Sequence, residues 1–244
     1  MPRRWADPRQ GDFFGVALKD VKAYENRRAA GKHLATHVVA LVGWKLHRPI
    51  VLALPRGGVP VAAEVATALG APLDVIVVRK IGFIGHRETA MGAIATVAGN
   101  VETVANASSM SMLDHLGRRR DEFREVAEKE HLELLRRDKL YRGDRPAVDV
   151  SGRAVVVVDD GVATGASMRA AVAALRLSGP DRVVIAVPVC LSGAMRALEE
   201  IAEDVVCPWN PPEFMAVGQA YQRFDQTSDE EVRAILEGGS EGNR

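Results

Sequence analysis

The sequence predicts an α/β fold, a doubly wound and mainly parallel β-sheet with helices on both faces. Two observations support this prediction. Several short segments are apolar at every position, as in strands that are buried on both faces. Segments with helical periodicity lie between them, and a strand–helix–strand order at this spacing favours parallel strands joined by right-handed crossovers. Ligands in such folds bind beyond the carboxyl ends of the strands.

The predicted strands and helices alternate along the chain. The strands are "IVLAL" at 50–54, "DVIVVR" at 74–79, "AVVVV" at 154–158 and "RVVIAVPV" at 182–189. The helices are 26–44, 60–70, 113–139, 166–177 and 192–202. Ser178, Gly179 and Pro180 end the helix before the last strand, because glycine suits a helix terminus and proline cannot continue a helix. The dense charge of 117–139 predicts a solvated helix face.

Two regions depart from this alternation. Residues 81–112 are rich in Gly, Ala, Ser and Thr, and Gly99-Asn100 is predicted to turn a hairpin between 91–98 and 101–105. The chain from Val205 onward carries an aromatic and proline cluster outside the core pattern. The length of 244 residues favours a single domain over 1–244, with a core at about 26–204.

Composition narrows the class of protein. The 32 basic and 32 acidic residues cancel, so we expect no general nucleic-acid interface. Charged residues or proline interrupt every apolar run before it reaches the length of a membrane span, and the N-terminal stretch has no apolar region of a signal peptide. Cys190 and Cys207 do not have a metal-ligand spacing. We therefore expect two reduced thiols in a cytoplasmic protein without a membrane partner.

The segment "VVVVDDGVATGAS" at 155–167 carries the strongest functional signal, beginning with its two carboxylates. Neighbouring side chains of a strand point to opposite sides, so one salt bridge cannot absorb both Asp159 and Asp160. As the chain turns at the strand end, both carboxylates can face a shared ligand. Carboxylates accept hydrogen bonds from hydroxyl groups, which suits a sugar.

The loop that follows the acids predicts an anion site. Gly161 and Gly165 permit backbone conformations closed to other residues, and the small side chains of Val162, Ala163 and Ala166 leave N–H groups uncovered. A helix begins near Ala166, which adds the positive end of its dipole. Thr164 and Ser167 contribute hydroxyl donors. A sugar phosphate such as ribose 5-phosphate is the simplest ligand that needs both the acids and this loop.

Three other nucleotide- or phosphate-site classes fail on this sequence. A Walker loop needs a lysine before the Ser or Thr, but position 166 is Ala. The GxGxxG fingerprint of dinucleotide binding is absent. A receiver domain also ends a strand in paired acids but needs a later lysine, and no lysine follows Lys139.

Two more segments complete a family resemblance. "LALPRGGVPVA" at 52–62 follows the first strand, and "VVRKIG" at 77–82 supplies a basic pair. In this order, and with the acidic strand end, they resemble the type I phosphoribosyltransferases over roughly 50–190. The segments "AGKHLA", "VRKIG" and "DDGVATGAS" are similar, more closely, to a bacterial group of phosphoribosyltransferases without an assigned substrate.

The resemblance implies the type I phosphoribosyltransferase fold and a ligand, 5-phosphoribosyl 1-pyrophosphate (PRPP), bound with Mg²⁺. Asp159 and Asp160 would hold the ribose hydroxyls and are candidate metal ligands. The loop that starts at Gly161 and Val162 would wrap the 5′-phosphate, chiefly through Ala163, Thr164, Gly165, Ala166 and Ser167. The pyrophosphate would be bound by Arg56, Gly57 and Gly58, with Lys80 nearby.

The sequence departs from the family at two points. Ala163 stands where enzymes for 6-oxopurines carry an Asp that contacts the base, so that substrate class loses support. Ala166 replaces a common glycine and fits only with a negative φ, as expected at a helix start. We also expect a non-proline cis peptide near Arg56, where amides must turn towards pyrophosphate.

The resemblance also implies moving parts around the site. We expect 82–112 to include a flexible hairpin that closes over PRPP and brings Arg87 or Glu88 closer to it; the alternative is a static hairpin buried against a partner subunit. The terminal segments, about 205–237, would form a small hood. Trp209, Phe214 and Tyr221 are either packing residues of this hood or a platform for a base.

The predicted function is transfer of the 5-phosphoribosyl group of PRPP to a nitrogen acceptor of the nucleobase or related heterocycle class, with release of pyrophosphate. The alternatives are a regulatory protein that binds PRPP without turnover and a hydrolase of PRPP or nucleotides. A homodimer is an expected assembly, although no pattern in the sequence fixes the oligomeric state.

Overall fold

The computed structural model describes residues 23–83, 86–105, 119–191 and 193–241. The helices are α1 Arg27–Val42, α2 Gly58–Leu69, α3 Arg119–Arg142, α4 Ala166–Leu177, α5 Ala194–Glu199 and α6 Asp229–Glu241, with short 3₁₀ helices at Gly43–Lys45 and Val217–Ala220. The strands are β1 Ile50–Ala53, β2 Leu73–Val75, β3 Val78–Phe83, β4 His86–Val97, β5 Asn100–Ala105, β6 Ala154–Val158, β7 Arg182–Ala186 and β8 Asp204–Val206.

The central sheet confirms the predicted fold class. It has five parallel strands in the order β2-β1-β6-β7-β8. From β1 the chain adds β2 on one side and later β6, β7 and β8 on the other. The sheet therefore has its switch point between β1 and β6, the place where the loops of such folds diverge and leave a crevice.

The strands are apolar throughout because each packs on both faces. In β6, Val156 and Val158 join one core with α1, α2, α3 and α6, whereas Val155 and Val157 join a second core with α4 and α5. All residues of β1 and β6 are buried. Full burial of a valine side chain contributes about 1.5–3 kcal/mol, so this pair of strands anchors the sheet.

Two predicted strands end early for identifiable reasons. The segment predicted as one strand at 74–79 divides into β2, an edge strand of the parallel sheet, and β3, which begins a separate antiparallel sheet with β4 and β5. The strand predicted at 182–189 stops at Ala186. Pro188 lies just beyond it, and proline has no N–H to donate to the ladder.

The predicted hairpin forms, shifted by one residue. Val97 pairs with Asn100, so the turn residues are Ala98 and Gly99 instead of Gly99-Asn100. Both have positive φ, 50° and 80°, as a tight type I′ turn requires. Residues 106–112 of the predicted excursion, the first turn predicted for the helix at 113–118, and the side chains of Arg87 and Glu88 lie outside the described residues.

The turn end of the hairpin packs against both cores. Ile94 packs in one core and Ala95 and Val97 in the other, and all three are buried. The Thr96 N–H donates to Val77 O at 2.9 Å, and its hydroxyl donates to Asp138 Oδ1 at 2.9 Å. The small residues of this segment allow close packing, which favours a static hairpin here; that another part of 82–112 closes over a ligand stays a prediction.

A buried charged cluster fixes α3 against the sheet. Arg142 is 6% exposed and forms ion pairs with Asp74 of β2 and, at 3.1 Å, with Asp138. Asp74 also accepts from the N–H of Val148 at 3.1 Å. Removing one member of such a cluster leaves an uncompensated buried charge, so α3 has little freedom to shift. Its outer face carries the predicted solvated ion pairs, among them Glu125 with Lys129.

The C-terminal part of the chain belongs largely to the core. Strand β8 extends the sheet to Val206, just past the predicted boundary at 204, and Val232 and Leu236 of α6 are buried with α2 and α3. Only the stretch between β8 and α6 has the position of the predicted hood. That the chain is a single domain stays a prediction.

Candidate functional site

The site lies at the switch point because two neighbouring strands deliver their loops there. Ala53 of β1 pairs with Val158 of β6, so the next residues on both strands leave the sheet side by side. The Leu54 N–H still donates to Val158 O at 2.9 Å. The loop after β1 then contains Arg56, and the loop after β6 begins with Asp159.

The loop after β1 touches the acids directly. An added Cβ on Gly57 would lie 2.0 Å from Asp160 Oδ2, and one on Gly58 would lie 2.9 Å from Asp159 Cα. Both positions need glycine because any side chain there would collide with the acids. At Gly57 the reason is space and not backbone conformation, since its φ of −60° is an ordinary helical value. The Pro55–Arg56 peptide bond is cis, as predicted. The N–H groups of Arg56 and Gly57 have no hydrogen-bond partner among the described residues, whereas that of Gly58 donates to Leu54 O.

The two carboxylates have different surroundings. Asp159 accepts from the Asp160 N–H at 2.8 Å and lines a cavity. Asp160 forms an ion pair with Arg27 of α1, with Nε 2.7 Å from Oδ2. Burial and the neighbouring Asp160 carboxylate raise the pKa of Asp159 well above its usual range. Burial also raises the pKa of Asp160, although Arg27 opposes that shift.

The glycine loop has the form predicted for an anion site. Gly165 caps α4 with φ 74°, a left-handed conformation that favours glycine, and Ala166 begins the helix as expected. The N–H groups of Ala163, Thr164 and Gly165 have no partner within the described ranges. Free amides at the N-terminus of a helix are suited to a phosphate.

Two members of the predicted loop have structural roles instead. Val162 is 3% exposed, its N–H donates to Val189 O at 3.0 Å, and its C=O accepts from Leu191. The prediction that Val162 contacts a ligand is therefore wrong, because both of its backbone groups and its side chain are already used. Gly161 packs against Val217 and Val189, where a Cβ would collide at 2.4 and 2.8 Å.

Asp159 and Ser167, at the two ends of the acidic and glycine-rich stretch, line a cavity of about 120 Å³. Pro55, in the loop after β1, lines it as well. Arg137 and Tyr141 of α3 line it as well. The Arg137 Nε binds Glu133, which leaves the outer nitrogens of the guanidinium for a ligand. A larger open groove of about 510 Å³ between the hairpin and α3 contains none of the predicted site residues.

The remaining predicted cations lie around this cavity. Lys80 is exposed and shares a face of β3 with Val78, which lines the cavity. Its neighbour Arg79 points the other way and binds Glu130 at 2.6 Å. The Arg56 guanidinium lies 3.6 Å from Asp229, whose carboxylate also accepts from the Tyr141 hydroxyl at 3.0 Å.

The aromatic residues beside the acids are packed against one another. Trp209 contacts Tyr24 and Phe214 edge-to-face, with ring centroids 5.6 and 5.1 Å apart. Tyr221 is buried, stacks on Phe224 and donates its hydroxyl to Asp160 O. Of the two interpretations open at the sequence level, packing is the one that these contacts favour.

Sequence reasoning missed three residues of the site. Arg27 holds Asp160, and Arg137 and Tyr141 face the cavity. They lie far along the chain from the motifs that they contact, and none carries a local pattern. The only available signal is the dense charge of the helix predicted at 113–139, which does not tell a solvated arginine from one that faces a site.

No helix in the described part of the chain is both long and apolar enough to cross a membrane. No group of three or more His, Cys, Asp or Glu side chains in that part could hold a metal ion by itself.

These features define a class of α/β protein in which a glycine loop and paired acids meet at the switch point of a parallel sheet. The chain belongs to the phosphoribosyl transferase family, because the model of the phosphoribosyl transferase domain matches residues 18–217. A relative from Mycobacterium tuberculosis H37Rv, named "putative phosphoribosyl transferase", is 42% identical over 224 residues, which are 89% of this chain and 47% of the relative. The chain thus spans about half the length of the curated relatives it matches.

A solved structure agrees with the fold. The crystal structure of TT1426 from Thermus thermophilus has a TM-score of 0.77 and 42% sequence identity to this chain. The match covers 88% of this chain and 97% of that one. The resemblance to phosphoribosyltransferases that the motifs indicate is therefore confirmed at the level of family and fold.

Proposed function

We propose that this chain transfers the 5-phosphoribosyl group of PRPP to a nitrogen acceptor of the nucleobase or related heterocycle class and releases pyrophosphate. One observation carries the proposal: at the switch point of the sheet the loop after β1 packs directly against the acids that follow β6, beside a cavity that Pro55, Asp159 and Ser167 line. Family membership supports the reaction class. Neither the cavity nor the family names the acceptor.

Each loop would take one part of PRPP. The free amides of Ala163, Thr164 and Gly165, with the Ser167 hydroxyl, would bind the 5′-phosphate. Asp159 would accept from the ribose hydroxyls. The amides of Arg56 and Gly57 would bind pyrophosphate, and the cavity side of α3 would add Arg137 to the cations there.

The charges suit the chemistry of the transfer. As the bond from C1′ to pyrophosphate breaks, positive charge develops on the ribose ring and negative charge on the leaving group. A carboxylate near the ring and cations near pyrophosphate stabilise these two charges, so the chain needs no nucleophile of its own. The acceptor nitrogen forms the new bond to C1′ while pyrophosphate leaves with the bonding electron pair.

The donor set fits Mg²⁺ only together with PRPP. Mg²⁺ prefers oxygen ligands, and Asp159 presents a carboxylate to the cavity that a cation would keep ionised. Since no described cluster could bind a metal alone, the other ligands would be ribose and pyrophosphate oxygens. When bound, the ion would neutralise charge on the pyrophosphate, and Asp159 would help to hold it.

Pyrophosphate release tests the proposal. The protein is incubated with PRPP and Mg²⁺ and with a panel of purines, pyrimidines and other nitrogen heterocycles, and pyrophosphate is measured for each. Release that requires one acceptor supports the transfer. Tight PRPP binding by calorimetry without release favours the regulatory alternative, release without any acceptor favours hydrolysis, and absence of PRPP binding contradicts the proposal. A cytoplasmic location and a homodimer stay predictions.

A further inference from the structure

Arg27 connects three parts of the site through one guanidinium. Its Nε lies 2.7 Å from Asp160 Oδ2, and its Nη1 donates to Asp225 O. Its Cζ lies 4.0 Å from the centre of the Phe224 ring, in a cation–π contact. The side chains of Arg27 and Asp160 are only 12% and 15% exposed, so their ion pair is largely shielded from water.

Asp160 is held from the other directions as well. The Tyr221 hydroxyl donates to its backbone oxygen. The loop after β1 is in close contact with its carboxylate, since a Cβ on Gly57 would lie 2.0 Å from Asp160 Oδ2 and 3.3 Å from Arg27 Nε. Asp160 therefore sits in a slot formed by α1, the 221–225 segment and the loop after β1.

The two acids consequently differ in what they can offer a ligand. Asp159 lines the cavity, whereas Asp160 is not among the residues that line it. One oxygen of Asp160 is already used by Arg27, and the described surroundings give Asp159 no cationic partner of its own. The sequence-based prediction assigned equal roles to both acids, and this arrangement separates them.

We infer that Arg27 is a positioning residue which neutralises Asp160 and locks it against the Gly57 loop, so that Asp159 alone presents a free carboxylate to the ribose of PRPP. This inference rests on the proposed function. It has an electrostatic consequence: without Arg27, Asp160 would place a second uncompensated negative charge beside a polyanionic ligand. It also has a structural consequence: Arg27 and Asp160 together connect the loop after β1 to the 221–225 segment, so losing either residue should loosen that connection.

The test is a mutant cycle read by calorimetry with PRPP and Mg²⁺. The variants are Arg27→Gln, Asp160→Asn, the double variant and Asp159→Asn. Arg28→Gln is the matched control, because it removes the same charge from the next position of α1, where the side chain is 60% exposed and lies 3.8 Å from Glu64. Each variant is measured at low and at high salt, since salt screens an uncompensated charge.

We expect Asp159→Asn to weaken PRPP binding about 100-fold and Asp160→Asn by less than about 5-fold. Arg27→Gln should weaken it about 10-fold at low salt, and both the higher salt and the added Asp160→Asn change should remove most of that loss. The control should bind as the wild type does. Arg27→Lys should recover part of the affinity, because it restores the charge without the fork.

Three results would overturn the inference. One is an equal loss in Asp159→Asn and Asp160→Asn, which would make both acids ligands. Another is wild-type binding by Arg27→Gln. The third is a loss in Arg27→Gln that neither salt nor the second substitution relieves, as expected if Arg27 only supports the fold.

A wild-type protein that does not bind PRPP contradicts the proposed function and not the lock itself. The lock is then judged without ligand, by the melting temperatures of the Arg27 and Asp160 variants. If the residues form a lock, the double variant loses clearly less than the sum of the two single losses. Additive losses would overturn it.

Discussion

Replacing Gly57 with alanine tests how tightly the two loops of the site are packed. The new Cβ would lie 2.0 Å from Asp160 Oδ2, whereas ordinary van der Waals contact begins at 3.4 Å, so the oxygen or the loop must move by about 1.4 Å. A movement of this size away from Gly57 takes the 2.7 Å bond between Asp160 and Arg27 to the limit of hydrogen-bonding reach or past it. The backbone itself tolerates alanine, because φ at Gly57 is −60°.

The expected cost follows from that bond. A hydrogen bond between charged groups contributes about 1.5–3 kcal/mol, so the variant should melt about 3–12 °C lower. Because the movement also frees Asp160 from Arg27, we expect PRPP binding to weaken about 10-fold, as in Arg27→Gln. Gly43→Ala is the matched control, since a Cβ there meets nothing closer than 3.8 Å and φ is −51°. Calorimetry with PRPP and thermal unfolding provide the two measurements.

One outcome would refute this reasoning directly. If Gly57→Ala melts and binds PRPP as the Gly43→Ala control does, then the loop after β1 and the acids are not in the tight contact on which the site depends. A loss of stability with normal PRPP affinity would instead confine the contact to the fold and separate it from ligand binding.

Three further predictions concern charge and motion. Asp159→Asn should raise the melting temperature of the ligand-free protein, and the increase should grow with pH. Because the pKa of Asp159 is raised in the folded protein, its carboxyl stabilises the fold below the ordinary pKa and loses that contribution as the pH rises through the raised value. An increase in melting temperature that shrinks from pH 5 to pH 8 would contradict this. Arg137→Ala should weaken PRPP binding about 10-fold, unlike Arg136→Ala, because both arginines bind Glu133 but only Arg137 lines the cavity; equal affinities would remove Arg137 from the site. Hydrogen exchange should show 93–104 protected in the free protein and unchanged by PRPP, and slower exchange on PRPP addition would restore the lid.

The parts of the fold that the sequence predicts are those with local causes. Strand β6 is apolar at every position because the sheet is covered on both faces, and α4 occupies the predicted 166–177 because glycine and small residues set its start and Ser178–Gly179 its end. The loops at 56–58 and 159–167 are likewise visible in the sequence, since their glycines and acids are contiguous there. Their convergence follows from strand order alone.

Other parts depend on contacts between distant residues and leave no local pattern. Arg27 lies 133 residues from Asp160, and an arginine at a helix start is unremarkable in itself. The hairpin shows the opposite failure. Its Gly- and Ala-rich composition favours mobility, yet Ala95 and Val97 are buried because small side chains let two backbones come close. Composition shows that the side chains are small, but it does not show whether they face solvent or pack against another segment.

The close contact between the two loops explains why the segment at 56–58 is arginine followed by two glycines. Neighbouring parallel strands lie about 4.8 Å apart, and Ala53 of β1 is in register with Val158 of β6. The residues that follow leave the sheet at the same height, so a side chain from one loop would occupy the space of the acids on the other. Gly57 and Gly58 remove that conflict, and the N–H groups of Arg56 and Gly57 have no partner among the described residues. The register of β1 and β6 thus sets the spacing between the loop after β1 and the carboxylates, so we expect a substitution in either loop to act on both.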